Sequence, residues 1–79
     1  MRDATEKTLE QVFRAVLQLP DDVTVRTVRQ VNQKSWDSLA HVSLIAAVES
    51  EFGLSVDLAD SLELTSFEAF ALYLEERGL

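Results

Sequence analysis

The chain contains no cysteine, and its 79 residues include only two glycines, one proline and one histidine. Without cysteine there is no disulfide framework and no thiolate chemistry from the protein itself. Because there is also only one histidine, the sequence excludes a structural zinc site, and we expect no metal site. The scarcity of glycine and proline argues against disorder and against a turn-rich β fold.

Long hydrophobic runs are also missing. Nothing in the sequence approaches a membrane-spanning length, and the N-terminus has no apolar signal-peptide run. We therefore expect a cytoplasmic protein with no membrane insertion. The length predicts a single domain, residues 1–79, with a thin core and little room for a deep catalytic cleft. No heptad seam is long enough for a coiled coil, so we expect a monomer.

Basic side chains are nearly absent from the second part of the chain. Residues 1–34 carry six basic and five acidic side chains, whereas residues 35–79 carry one basic and nine acidic ones. This acidic part repels phosphates, which disfavours a nucleic-acid partner, and it attracts basic protein surfaces. The alternative is that the acidic charge only keeps a small domain soluble.

Apolar spacing predicts a first amphipathic helix over about residues 4–18. A capping box, Asp3-Ala4-Thr5-Glu6, precedes the stripe, and Pro20 ends the helix. The following residues, 20–35, have valines at irregular intervals. We expect a mostly irregular loop there, with one short helical turn and with its valines against the core. The stripe and the valines are Leu9, Val12, Phe13, Val16, Leu17, Val23, Val25, Val28 and Val31.

The central stretch predicts a helix over about residues 37–52, which ends at Gly53. It is apolar nearly all round, so it has more apolar surface than one core-facing stripe requires. We assign one row to the core and a second row, a third of a turn away, to a docking face. The pattern leaves open whether the second row is buried too. The core row is Leu44, Ile45, Val48 and Phe52, and the second row is Leu39, Val42 and Ala46.

Two further helices complete the predicted fold. Residues 57–62 predict a short helix with Leu58 and Leu62 inward, and a second capping box, Thr65-Ser66-Phe67-Glu68, precedes a last helix over about 66–77. The sequence therefore predicts an all-α four-helix bundle with three longer helices and one short third helix.

The start of the central helix contains the residue types of a nucleophilic triad, Asp37, Ser38 and His41. A triad also needs an oxyanion hole and an orienting acid beyond the histidine, and Asp37 is better placed to cap the helix. We therefore predict that the protein is not an enzyme. His41 is ambiguous, either a surface residue without a role or a group near whatever Ser38 carries.

Ser38 has a stronger physical case, because a helix N-terminus stabilises an attached phosphate. If Asp37 is the N-cap, the Ser38 hydroxyl is free to be modified; if Ser38 is itself the cap, its role is structural. Trp36 precedes both residues. We interpret it as a hydrophobic staple over the first turn, with a place on a partner surface as the alternative.

Asp37-Ser38-Leu39 opens a helix that ends Glu49-Ser50-Glu51-Phe52-Gly53, and Leu64-Thr65-Ser66-Phe67 opens the last helix. In this order of helices the chain resembles the acyl carrier and peptidyl carrier proteins over nearly its whole length. The resemblance implies an acyl-carrier-protein-like bundle. It also implies that a phosphopantetheinyl transferase attaches 4′-phosphopantetheine to Ser38.

The same resemblance implies the other partners and site residues. The thiol of the attached group carries an acyl or aminoacyl chain as a thioester, between a loading enzyme and a downstream transferase or synthase. Asp37 is implied as the acid that helps hold magnesium during transfer, with Leu39 beside the attachment site. The implied docking residues on the second helix are Leu39, Val42, Ala46, Glu49 and Glu51.

The sequence departs from the fatty-acid carriers around the serine. Ser35-Trp36 precedes Asp37 with no glycine nearby, and Ala40 and Ser43 stand where those carriers have acids. Trp-Asp-Ser-Leu is more similar to free-standing carriers of specialised biosynthetic pathways. The alternative is a small helical adaptor, in which Ser38 is only a helix cap or a regulatory phosphosite.

Overall fold

The computed structural model describes all 79 residues, and it confirms the prediction of an all-α bundle of four helices. It contains no β-strand, and two short 3₁₀ turns lie between the first two helices. None of the helices combines the length and the apolar character needed to cross a membrane. The helices are α1 (Asp3–Leu17), α2 (Ser38–Phe52), α3 (Leu58–Glu63) and α4 (Phe67–Glu76).

Helix α1 packs the predicted stripe on the core, with Val16 only partly buried, but it does not begin with the predicted capping box. Its N-cap is Arg2, which makes no side-chain cap, and Asp3 is already helical. Thr5 lies in the first turn of the helix and is buried against the core. The helix stops at Gln18, whose φ of 52° is left-handed, two residues before Pro20.

The connection between α1 and α2 is more ordered than a loop with one helical turn. It contains two 3₁₀ turns, Val25–Thr27 and Gln30–Asn32. The prediction that its valines pack on the core holds for Val25 and Val28, which are buried, but is wrong for Val31, which is exposed. Val31 faces solvent because it lies inside the second turn, where no other element covers it.

Helix α2 has the predicted bounds to within one residue. Its C-cap is Gly53, at a left-handed φ of 64° that a side chain would disfavour. In the predicted core row, Leu44 and Val48 are fully buried, whereas Ile45 and Phe52 are only partly buried against the core. The two fully buried positions are one turn apart and define the side of α2 that faces the bundle.

Helix α3 contributes no buried side chain, and the prediction that its leucines point inward is wrong. Leu58 is 76% exposed and Leu62 is 69% exposed. In a helix of six residues, the i, i+4 spacing of two leucines is less than two turns and does not determine which side is covered. Val56, before the helix, is partly buried and Leu64, after it, is buried, so the flanking residues anchor α3.

Helix α4 is capped by Ser66, whose hydroxyl accepts from the N–H of Ala69 at 3.0 Å, rather than by Thr65. The core is one cluster of fifteen buried apolar side chains from α1, α2, α4 and the loop segments. Phe13 lies at its centre and meets three aromatic rings edge to face, with centroids 5.1–5.5 Å apart. This geometry is favoured for aromatic pairs. The three partners of Phe13 are Trp36, Phe67 and Phe70.

Candidate functional site

The first turn of α2 is capped by Asp37 and not by Ser38. The backbone of Asp37 is extended, and its Oδ1 accepts a hydrogen bond from the N–H of Ala40 at 2.8 Å. This contact satisfies one of the amides that have no carbonyl partner at a helix start. Ser38 is the first helical residue, and its exposed hydroxyl takes no part in the cap. Of the two alternatives for Ser38, the structure therefore supports the one in which its hydroxyl is free.

Two further amides at the start of α2 have no acceptor within the helix. The first backbone hydrogen bond of the helix runs from the N–H of His41 to the carbonyl of Asp37, at 2.9 Å. Since the Asp37 carboxylate holds the N–H of Ala40, the amides of Ser38 and Leu39 remain without an intrahelical partner. Unpaired amides at the positive end of a helix favour a phosphate group at that place.

Trp36 belongs to the core and not to a partner surface. Its ring is only 2% exposed, and it packs 5.5 Å from Phe13 and 6.2 Å from Phe70. The imidazole of His41 lies edge to edge with it, nearly parallel, with ring centroids 6.0 Å apart. The interpretation of Trp36 as a structural residue against the first turn is confirmed, and the partner-surface alternative is wrong.

Both ring nitrogens of His41 are engaged away from Ser38. Nδ1 lies 3.1 Å from the indole Nε1 of Trp36, and Nε2 lies 2.8 Å from the carbonyl oxygen of Ser61 in α3. Hydrogen bonds to these partners leave no imidazole nitrogen facing the Ser38 hydroxyl. The residue types of a nucleophilic triad are therefore present in the sequence but are not assembled as a triad.

The second apolar row of α2 is exposed. Leu39 is 77% exposed and Val42 is 66% exposed, and Ala46 is also on the surface. The open question of whether this row is buried is therefore answered: it faces solvent, beginning immediately after Ser38. Exposed aliphatic side chains that lie together on one surface are characteristic of interaction sites.

Helix α3 extends this apolar surface. A groove of about 330 Å³ runs between α2 and α3. Leu58 lies at this groove, so a residue assigned to the core by its sequence instead joins the predicted docking face. We use the name apolar face for Leu39, Val42, Ala46 and Leu58. The residues that line the groove are Val42, Ile45, Ala46, Glu49, Val56, Leu58 and Ser61.

The two acidic docking residues lie in different places. Glu49 borders the α2–α3 groove, and its Oε2 accepts from the N–H of Val56 at 2.8 Å, so it also holds the connection between the helices. Glu51 is exposed, but it borders a separate depression with Thr8 and Gln11 of α1. The structure thus brings Glu49 to the apolar face and separates Glu51 from it.

The surface around the apolar face is acidic. Neither α2 nor α3 contains a lysine or an arginine. The acidic side chains before, within and after these helices give the region a negative potential that favours encounter with basic surfaces. These residues are Asp37, Glu49, Glu51, Asp57, Asp60 and Glu63; Glu49 borders the groove, whereas Glu51 lies beside α1 and Asp60 pairs with Arg77 of α4.

Asp60 joins α3 to α4. Its Oδ2 accepts from the hydroxyl of Tyr73 at 3.4 Å and lies 3.5 Å from Nη2 of Arg77. The Arg77 guanidinium lies 3.4 Å above the centre of the Tyr73 ring, a cation–π contact. Burial raises the pKa of Tyr73 above its ordinary value; Arg77 opposes this rise and the Asp60 carboxylate adds to it.

The contacts of His41 and Leu58 are the parts of the site that sequence reasoning missed. His41 bonds residues five and twenty positions away, and such pairs leave no periodic signal. The one available hint was that Trp36 and His41 flank the same first turn of a helix.

Comparisons of the chain with protein-family models, with curated proteins and with solved structures give no match. The class that the structure defines is therefore a small all-α bundle with an exposed serine at a helix N-terminus.

Proposed function

We propose that this protein is a carrier, which holds an acyl or aminoacyl intermediate on 4′-phosphopantetheine attached to Ser38 and presents it to separate enzymes. One observation carries the proposal: Ser38 is exposed at the first position of α2 while Asp37 supplies the cap. A serine released from capping, beside unpaired amides and at the edge of an apolar surface, is suited to modification by a phosphate-containing group.

The residues at the helix start fit such a group. In the loading step the Ser38 oxygen forms a bond to the pantetheine-linked phosphorus of coenzyme A. The pyrophosphate bond breaks, adenosine 3′,5′-bisphosphate leaves, and the hydroxyl proton passes to a base of the transferase. The amides of Ser38 and Leu39 favour the resulting phosphodiester. Asp37 uses Oδ1 for the cap, which leaves Oδ2 for the magnesium ion that the resemblance implies.

The attached group would supply the thiol that this chain lacks. The protein's own contribution is to hold the attachment point and to offer a recognition surface, so its catalytic effect is proximity. The apolar face starts at Leu39, directly after the attachment point, and the carboxylate of Glu49 borders the groove beside it. Partner enzymes with an apolar patch bordered by basic side chains complement that surface.

Intact-protein mass spectrometry tests the proposal. The protein is incubated with coenzyme A, magnesium and a broad-specificity phosphopantetheinyl transferase, and the matched control is Ser38→Ala. We expect the wild type to gain one phosphopantetheinyl group, which maps to the Ser38 peptide, and the variant to gain none. If folded wild type shows no gain with two unrelated transferases, the proposal fails. An alanine variant that is still labelled elsewhere contradicts the site.

A helical adaptor is the alternative function, and the exposure of the apolar face favours it equally. An adaptor would bind its partner through Leu39, Val42 and Ala46, and Ser38 would be unmodified or phosphorylated. The mass experiment separates the two functions, because an adaptor gains no phosphopantetheinyl group. A partner that binds unmodified wild type and Ser38→Ala with equal affinity would support the adaptor.

A further inference from the structure

Helix α3 forms one wall of the α2–α3 groove, although none of its side chains is buried. Apolar burial therefore does little to set its rotation about its own axis. The residues on either side of it, Val56 and Leu64, fix its ends. Between those ends the contacts to the bundle are polar: Ser61 faces His41 of α2, and Asp60 faces Tyr73 and Arg77 of α4.

The hydrogen bonds of the His41 ring to Trp36 and Ser61 are consistent with only one tautomer of the neutral imidazole. An indole N–H can only donate, so Nδ1 of His41 accepts from Nε1 of Trp36, at 3.1 Å, and carries no proton. The proton of the neutral ring is then on Nε2, which donates to the Ser61 carbonyl at 2.8 Å. The Ser61 hydroxyl lies 3.3 Å from the same nitrogen. Trp36 thus selects the tautomer that bonds to α3.

The hydrogen bonds from Trp36 through His41 to Ser61 connect the packed core to α3, which has no buried side chain. Trp36 is held among the aromatic rings of the core, and His41 lies in the first turn of α2, three residues after Ser38. The Ser61 carbonyl lies in the last turn of α3 and accepts a hydrogen bond from the N–H of Leu64 at 3.3 Å. The imidazole gives this carbonyl a second hydrogen bond and ties the end of α3 to the start of α2.

We infer that His41 is a positioning residue, which fixes α3 against the first turn of α2 and so sets the shape of the surface beside Ser38 that the loading enzyme contacts. The second half of this statement rests on the proposed carrier function. The first half concerns only the bundle, and the two halves are tested separately.

The chain has a single histidine, so the tautomer is measurable without any substitution. We expect the ¹⁵N chemical shifts of the His41 ring to be those of an imidazole protonated at Nε2. A ring protonated at Nδ1 would break both hydrogen bonds and would overturn the inference.

Two matched variants separate the two ring nitrogens. In His41→Asn the side-chain oxygen replaces the Nδ1 acceptor for Trp36, but the side chain is too short to reach Ser61. In His41→Gln the amide nitrogen replaces the Nε2 donor to Ser61, and the acceptor for Trp36 is lost. We expect His41→Asn to raise the hydrogen-exchange rates of residues 58–63 about fivefold, the effect of one lost hydrogen bond. We expect His41→Gln to stay within about twofold of the wild type, because it retains the bond to α3.

Loading kinetics test the functional half. For His41→Asn we expect the transferase's KM for this protein to rise about fivefold, with kcat unchanged because Ser38 and its cap are intact. For His41→Gln we expect both constants to stay near the wild-type values. Equal exchange rates in the two variants would overturn the role of His41 in fixing α3. Higher exchange with an unaltered KM would overturn its role in recognition. If wild type itself is not loaded, the carrier function fails, while the exchange comparison still decides whether His41 fixes α3.

Discussion

Replacing Asp37 or Ser38 by alanine separates the two roles that these neighbours have at the start of α2. Asp37→Ala removes the acceptor that holds the Ala40 N–H at 2.8 Å, and loss of an N-cap costs about 1 kcal/mol of unfolding free energy. For a 79-residue domain this lowers the melting temperature by roughly 4–8 °C. Ser38→Ala removes an exposed hydroxyl outside the cap, so its change should stay within about 0.5 kcal/mol.

Urea unfolding followed by tryptophan fluorescence measures both changes, because Trp36 is the only tryptophan and is buried. Asp37→Asn is the matched control, since asparagine caps a helix as well as aspartate does and carries no charge. We expect Asp37→Asn to be as stable as the wild type but to load more slowly if the carboxylate holds magnesium. The reasoning is refuted if Ser38→Ala loses as much stability as Asp37→Ala, because Ser38 would then be the cap.

The exposure of Leu39, the burial of Leu44 and the raised pKa of Tyr73 each give a further prediction. Leu39→Asp should change the unfolding free energy by less than about 0.5 kcal/mol and should impair partner turnover, because Leu39 is exposed. Leu44→Ala should cost about 2–5 kcal/mol, because Leu44 is fully buried. A loss of stability in Leu39→Asp as large as that in Leu44→Ala would contradict the exposure of Leu39. Tyr73, the only tyrosine, can be titrated by its absorbance. Its pKa should fall in Asp60→Asn and rise further in Arg77→Ala. Because its folded-state pKa is raised, the stability it contributes is complete below about pH 10 and is lost as pH rises through that pKa.

The long periodic segments of this chain were predictable from sequence. The stripe of α1 and the apolar row of α4 (Phe67, Phe70, Ala71 and Leu74) repeat over at least two turns, so one side of each helix is clearly apolar. Both pack on the core in the structure, and only Val16 and Ala71 are partly buried. The Gly53 stop and a cap at either Asp37 or Ser38 also follow from local backbone chemistry, and the structure decides for Asp37. Each of these features depends on residues within a few positions of one another.

Features that depend on distant residues were not predictable. Leu58 has an apolar side chain of the kind found in cores. It is exposed because α1, α2, α4 and their loops already fill the core without it. Val31 is exposed for a similar reason, since no element covers its turn. The hydrogen bond from His41 to Ser61 joins residues twenty positions apart, so this contact between α2 and α3 depends on tertiary geometry.

The absence of buried side chains from α3 separates folding from recognition in this bundle. Substitutions on an exposed helix, away from caps and specific contacts, usually change stability by less than about 0.5 kcal/mol. The outward positions of α3, Leu58, Ala59 and Leu62, can therefore be replaced without loss of the fold, provided that Asp60 and Ser61 keep their contacts. Partner specificity can be redesigned in this one short helix while the scaffold that presents Ser38 stays the same.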